Sequence, residues 1–171
     1  MPVTDQFKLL RANNDSSIKL NHVVHHGSIG HHVQNWHAYR AESRIGRVAA
    51  CDCASRVAMF SSGTMAEGWA VYATELMGEV GFLTSLELYA EQQSRRRMAA
   101  RAVVDVRLHQ GRLTLDQAAE FYERNAGMSP VAARGEAVKN SMFPGAAMMY
   151  LIGCDRIKEL RRTLLEWFEG K

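Results

Sequence analysis

Glycine and proline divide the chain into a succession of helical patterns. The stretch TMAEGWAVYATELMGEVG carries apolar side chains at a three- and four-residue spacing and ends at Gly81. A long run of good helix formers follows it, and no convincing alternating strand pattern occurs anywhere. Helices are predicted from about 31 to 50, 85 to 109, 115 to 125, 130 to 139 and from after Pro144–Gly145 to about Phe168. The predicted fold class is therefore all-α, a compact domain of six or so helices joined by short loops.

Breaks in these patterns predict the boundaries of the domain. Residues 1–21 are mixed and polar, with a predicted loop over residues 13–17, and are expected to form an N-terminal arm or loop. Residues 22–171 are assigned to a single helical metal-site domain, since 171 residues is the size of one domain. A further break is expected at Ser61–Ser62–Gly63, and Thr114 with Gln117 has the spacing of a capping box.

Composition excludes several classes of protein. The net charge of +3, from 21 basic and 18 acidic side chains, is too even for a nucleic-acid-binding surface. No apolar run is long enough to span a membrane, and the N-terminus lacks the layout of a signal peptide. The 3 cysteines form no disulfide framework, since the count is odd and Cys51 and Cys53 are separated by one residue. We therefore expect a cytoplasmic protein without nucleic-acid or membrane partners.

Histidine is concentrated in one short segment. Six of the 7 histidines lie between His22 and His37, and neutral imidazole is the commonest protein ligand for zinc and similar metals. In an unbroken helix, His32 would lie almost above His25. A kink or wide turn at Gly30 would instead bring His31 beside His25. Spacing alone leaves both arrangements open, as well as a polar turn that binds no metal.

Four segments in order resemble a known family. The run HHGSIGHHVQ, which begins at His25, resembles the motif His-Glu-x-x-Pro-Gly-His-His-x-Gln of the bacterial family called domain of unknown function 885. The other three segments are EGWAVY from Glu67, RAVVDVRLH from Arg101 and PGAAMMYLIG from Pro144. The resemblance runs from about residue 22 to residue 162, and four motifs in order are far more specific than any one of them.

The resemblance implies a helical, metallopeptidase-like protein with a divalent metal site. Its metal ligands would be His25, His31 and Glu67, with zinc as the first choice and iron, manganese, cobalt or nickel as alternatives. Glu67 has a second interpretation, because Thr64-Met-Ala-Glu67 also has the spacing of a capping box at a helix N-terminus.

Three further residues at motif positions become catalytic candidates. Tyr150 would stabilise developing negative charge, with a core aromatic as the alternative interpretation. Arg101 and His109 lie eight residues apart on one predicted helix and could face the same cleft. The alternative for Arg101 is a structural ion pair with Asp105 at i,i+4.

The sequence departs from the family at the position that matters most for hydrolysis. His26 stands where the family has the Glu that takes a proton from a metal-activated water and passes it to the leaving group, so His26 is expected to serve as the acid–base group. Ile29 replaces the family's Pro. The resemblance implies that the chain corresponds to the C-terminal, motif-bearing portion of longer relatives, so apolar surface covered in them is expected to be exposed here. We therefore expect a homodimer or a hetero-complex.

Three functions follow from these observations. The first is a metal-dependent enzyme of hydrolase ancestry that acts on a small molecule or a peptide-like substrate. The second is a metal-dependent isomerase, cyclase or lyase of a specialised-metabolite pathway, in which the metal acts as a Lewis acid without hydrolysis. The third is a degenerate, non-catalytic binding domain that keeps only the helical core.

Overall fold

The prediction of an all-α fold is confirmed by the computed structural model. The structure describes residues 3–4, 6–7, 14–44, 47 and 57–170, and these residues form helices and no β-strand. None of the helices described is long and apolar enough to cross a membrane. The elements are α1 (Asp15–Ile18), a π-helix (Lys19–His26), α2 (His31–Tyr39), α3 (Val57–Glu79), α4 (Ser85–His109), α5 (Leu115–Ala126), α6 (Pro130–Met142), a 3₁₀ turn (Ala146–Met148) and α7 (Met149–Glu169).

Local sequence signals fix most of the helix ends. The predicted capping box at the start of α5 is present, because Thr114 Oγ1 accepts from the Gln117 amide and Gln117 Oε1 accepts from the Thr114 amide. Gly127 ends the same helix in the left-handed region at φ 63°, which glycine adopts without steric cost. Pro130 begins α6, where its missing N–H would be unpaired in any case. Helix ends are therefore largely determined by residues next to them in the sequence.

Two predicted breaks are wrong. Instead of a loop over residues 13–17, Asp15–Ile18 form one helical turn, because the Asn14 side chain caps it by accepting from the Ser17 amide at 2.9 Å. Instead of a break at residues 61–63, α3 runs without interruption from Val57. Gly63 serves packing, since a Cβ at this position would overlap the Met149 sulfur of α7.

The helices group into two compact units. The first comprises Met1–Lys19 and Leu83–Met148, and the second comprises Leu20–Phe82 and Met149–Lys171. The histidine-rich segment therefore belongs to the second unit, with α3 and α7. The assignment of residues 22–171 to a single domain stays a prediction.

Small side chains dominate the core of the first unit. Alanines let α4, α5 and α6 approach closely around Tyr122, which is fully buried. The Tyr122 hydroxyl accepts from Asn140 Nδ2 at 2.7 Å, so its one polar atom is satisfied inside the core. The buried core residues are Ala100, Val104, Ala118, Ala119, Tyr122, Ala126, Ala133 and Ala137.

A buried carboxylate organises the end of the first unit. Asp105 is 2% exposed and accepts from the backbone amides of Gly145 and Ala147 at 2.9 and 3.1 Å. His109 Nδ1 lies 2.9 Å from the same carboxylate. Asp105 thus ties the bend after α6 to the C-terminal part of α4, and it satisfies backbone donors that would otherwise lack partners.

Arg101 does not pair with Asp105, so the predicted ion pair between them is wrong. Its guanidinium instead contacts both carboxylate oxygens of Glu136 on α6, at 2.6 and 2.8 Å. The Asp105 oxygens already accept from the bend and from His109. The i,i+4 spacing of Arg101 and Asp105 is therefore overridden by contacts that only the folded unit supplies.

Glycines allow α3 and α7 of the second unit to touch backbone to backbone. Gly68 and Gly153 face each other, and a Cβ on Gly153 would overlap the Thr64 carbonyl oxygen. Ion pairs flank this contact: Lys158 contacts Glu75, and Arg161 Nη1 lies 2.8 and 2.9 Å from the two Glu79 oxygens. This close contact fixes the position of α3 relative to α7, and therefore the positions of the α3 side chains near it.

Adding one methyl group at this crossing is expected to destabilise the protein. Gly153→Ala should lower the free energy of unfolding by about 1–3 kcal/mol, because backbone atoms cannot move aside as a side chain can. Gly135→Ala on α6 is the matched control, since nothing lies within 4 Å of a Cβ there and alanine should add up to about 1 kcal/mol. Urea unfolding of both variants tests this, and an unchanged Gly153→Ala midpoint would contradict it.

His109 is expected to make stability depend on pH. Burial alone would lower the pKa of His109, but its bonds to the Asp105 and Ser141 carbonyl oxygens and to the Asp105 carboxylate outweigh burial and raise it. Its contribution is therefore complete below its unfolded pKa of about 6.5 and is lost as pH rises through the folded pKa. The stability difference between the native chain and His109→Gln should be larger near about pH 5.5 than near about pH 8.

Chemical denaturation at both pH values measures this difference. His37→Gln, which replaces an exposed histidine of α2, controls for the loss of a histidine in general. A difference for His109→Gln that does not change with pH would rule out this coupling.

Candidate metal centre

A tight bend between the π-helix and α2 brings two of the predicted ligands together. The ring centroids of His25 and His31 are 4.9 Å apart. The bend needs glycine at Gly30, because a Cβ there would overlap the His25 and Val24 carbonyl oxygens. Of the two arrangements left open by spacing, the structure therefore has the one with His31 beside His25. His32 is exposed on α2 instead.

Glu67 completes the convergence from the middle of α3. Its Oε2 lies 3.3 Å from His25 Nε2 and 3.5 Å from His31 Nε2. The capping interpretation of Glu67 is wrong, because α3 begins at Val57 and Thr64 lies within the helix. Glu67, which is distant in sequence from His25 and His31, thus directs its carboxylate to the place where the two imidazole nitrogens lie.

The Glu67 oxygen at this place is buried and lacks a well-formed hydrogen bond. Among the described residues, no donor completes a bond to Oε2, although the two imidazole nitrogens lie close to it. Two ligand atoms on a tetrahedral zinc ion, with bonds of roughly 2.0–2.1 Å, lie about 3.3 Å apart. The observed separations are therefore compatible with atoms that share a metal ion.

The electrostatics of Glu67 also suit a metal ligand. Burial alone would raise its pKa, but the neighbouring His25 and His31 rings outweigh burial and lower the pKa to about 2. The carboxylate is therefore ionised at neutral pH, the form in which a carboxylate coordinates a metal.

His26 lies against the same two histidines. Its ring centroid is 4.9 Å from that of His25 and 5.4 Å from that of His31. Ligand atoms of these three imidazoles all lie within 4.8 Å of one another, so the cluster could hold a metal ion. Burial and the neighbouring His25 and His31 lower the pKa of His26, and Glu67 offsets part of that effect.

A tryptophan that sequence analysis does not single out anchors the bend. Trp69 Nε1 donates to the Ile29 carbonyl oxygen at 2.8 Å. The signal was its place in the segment Glu-Gly-Trp, whose three residues have separate roles. Glu67 presents its carboxylate, Gly68 allows α7 to approach, and Trp69 holds the bend that carries His31.

The other predicted site residues fall in both units. Tyr150 is half-buried in the first turn of α7, in the unit that holds the histidines. Arg101 and His109 belong to the first unit, where they contact Glu136 and Asp105. Catalytic roles for these three residues stay predictions. Cys51 and Cys53 lie outside the described residues, and Cys154 is a buried free thiol.

Comparison with known proteins supports the family resemblance. The sequence model for a bacterial protein of unknown function, designated DUF885, matches residues 9–167. No curated protein and no solved structure matches the chain. Since the match covers nearly the whole length, the chain belongs to the DUF885 family of bacterial proteins.

Proposed function

We propose that this chain is a metal-dependent enzyme of hydrolase ancestry whose metal is held by His25, His31 and Glu67. The observation that carries the proposal is the Glu67 oxygen, which is buried between two imidazole nitrogens at 3.3 and 3.5 Å. Two neutral imidazoles and one ionised carboxylate form a donor set that suits zinc, and also iron, manganese, cobalt or nickel.

The metal would supply a Lewis acid that polarises a carbonyl group or a water molecule. The protein's own part is to hold the ligands rigidly. Trp69 holds the bend before His31. The contact of Gly68 with Gly153 fixes the position of α3 against α7, and Glu67 lies next to that contact. Ligands held in this way need little reorganisation when a substrate binds, which is the main requirement for electrostatic catalysis.

The substrate is proposed to be a small molecule or a peptide-like compound with a polarisable carbonyl group. The hydrolytic reaction is carried over from the metallopeptidase-like motifs, in which His26 replaces a carboxylate. Tyr150 is proposed to stabilise negative charge that develops on the substrate. Arg101 and His109 remain catalytic candidates, because they stand at positions that resemble the family's motifs. A cytoplasmic location and a homodimer or hetero-complex also stay predictions.

One observation favours a second candidate function without hydrolysis. Residue 26 is a histidine, and the main proposal uses Glu67, whose charge offsets part of the lowering of the His26 pKa, as a metal ligand. Amide hydrolysis needs a group that delivers a proton to a poor leaving group, and a carboxylic acid usually does so. A metal-dependent isomerisation, cyclisation or elimination does not need that step. A non-catalytic binding domain would instead contain no stoichiometric metal.

Removing a ligand is expected to abolish metal retention. The protein purified without a histidine tag should carry about one metal ion per chain. His25→Ala and Glu67→Ala should each lose it while staying helical, because two of the ligands cannot replace the third. His32→Ala is the matched control, since it removes an exposed histidine from the same segment. Elemental analysis and circular dichroism measure metal content and helicity.

Either of two results would count against this site. Stoichiometric metal in Glu67→Ala would show that Glu67 is not a required ligand. A metal-free native protein that takes up no added Zn²⁺, Mn²⁺ or Co²⁺ would favour the binding domain.

Restoring the family's carboxylate is expected to restore hydrolysis. The native chain should cleave unactivated peptides weakly or not at all, because it lacks a carboxylic acid at residue 26. His26→Glu should raise hydrolysis of simple ester or peptide substrates by about 10²-fold or more, the usual contribution of general acid–base catalysis. His26→Gln controls for loss of the imidazole. Vigorous peptidase activity of the native chain would show that the carboxylate is dispensable.

A further inference from the structure

The imidazole of His26 forms a cluster with those of His25 and His31, in which the ligand atoms lie within 4.8 Å of one another. We propose that His26 is a fourth metal ligand, in place of the acid–base role that the family motif implies, so that the site offers three imidazoles and one carboxylate. This inference rests on the proposed metal site. It adds a fourth ligand to that site and identifies the class of metal that could be catalytic there.

The positions of the three nitrogen atoms carry the inference. Ligand atoms of His25, His26 and His31 lie no more than 4.8 Å from one another. Three atoms so placed all lie within about 2.8 Å of one common point, compared with roughly 2.0–2.1 Å for a metal–imidazole bond. Shifts of less than about 1 Å would therefore bring all three nitrogens to bonding distance of one ion.

An acid–base group belongs farther from the metal. A base that takes a proton from an activated water lies one hydrogen bond, about 2.6–3.2 Å, beyond that water. The water itself lies a full bond length from the metal, so the base is well outside the ligand distance. The His26 nitrogen instead lies within 4.8 Å of the His25 and His31 ligand nitrogens, close enough for the three to share one ion after small shifts.

The π-helix explains how neighbouring residues can both reach the ion. Consecutive side chains of an α-helix diverge by about 100°, which would direct one of the pair away from the site. A π-helix has more residues in each turn, so His25 and His26 diverge by less. The His22 ring stacks on that of His26 at 6.0 Å with an interplanar angle of 24°, which supports the orientation of His26.

A fourth protein ligand changes which metal can be catalytic. Three imidazoles and a carboxylate fill all positions of a four-coordinate zinc ion, which is typical of structural zinc sites. Metals that accept six ligands, such as manganese, ferrous iron, cobalt or nickel, keep free positions with the same donor set. The inferred catalytic metal is therefore one of these, and zinc would close the site.

Counting imidazoles on a bound probe metal tests the inference. The full-length protein is stripped of metal and loaded with Co²⁺, and X-ray absorption spectroscopy counts the imidazole ligands. We expect three imidazoles in the native chain and in the control His32→Ala, and two in His26→Ala and His26→Gln. The affinity for Co²⁺ should fall about tenfold or more in both His26 variants, since each removes one donor. Circular dichroism confirms that each variant is folded.

The outcomes separate this inference from the proposed function. Two imidazoles in the native chain, with the count and affinity unchanged in the His26 variants, would overturn the fourth ligand and leave the three-ligand site intact. No stoichiometric binding of Co²⁺, Zn²⁺ or Mn²⁺ by the native chain would overturn the metal site and this inference together. Loss of one imidazole on replacement of His26 supports both.

Discussion

The bend from His26 to His31 is the constraint on which the candidate site depends. It leaves no room for a Cβ at Gly30, because that atom would overlap the His25 carbonyl oxygen. The hydrogen bond from Trp69 to the Ile29 carbonyl holds it closed. Without this bend, His31 would lie on the far side of a continuous helix, away from His25.

In the second unit, one short segment of α3 carries both the helix contact with α7 and the carboxylate of the candidate metal site. Glu67 lies next to Gly68, where α3 meets α7 backbone to backbone, and Trp69 follows immediately. A change in the helix crossing would therefore move the carboxylate and the anchor of the bend together. This coupling gives a physical reason for the three residue types in the Glu-Gly-Trp segment, which the hydrophobic pattern of α3 would not require.

In the first unit, the motif from Arg101 to His109 has structural roles that stand beside its predicted catalytic ones. Asp105 accepts two backbone amides of the bend after α6 and also contacts the His109 ring. Arg101 pairs with Glu136 across to α6. These contacts give the motif a structural role, because they join α4 to α6 and to the bend after α6.

Local signals in the sequence determined the fold class and most helix ends, and the resemblance to the family supplied the ligand candidates His25 and Glu67. Caps, glycines and apolar spacing act between near neighbours, so they can be read without the fold. Only the tertiary structure decided between His31 and His32, placed Glu67 within a helix, and paired Arg101 with Glu136. It also gave Gly63 and Trp69 their roles, because each depends on a contact with a residue far away in the chain.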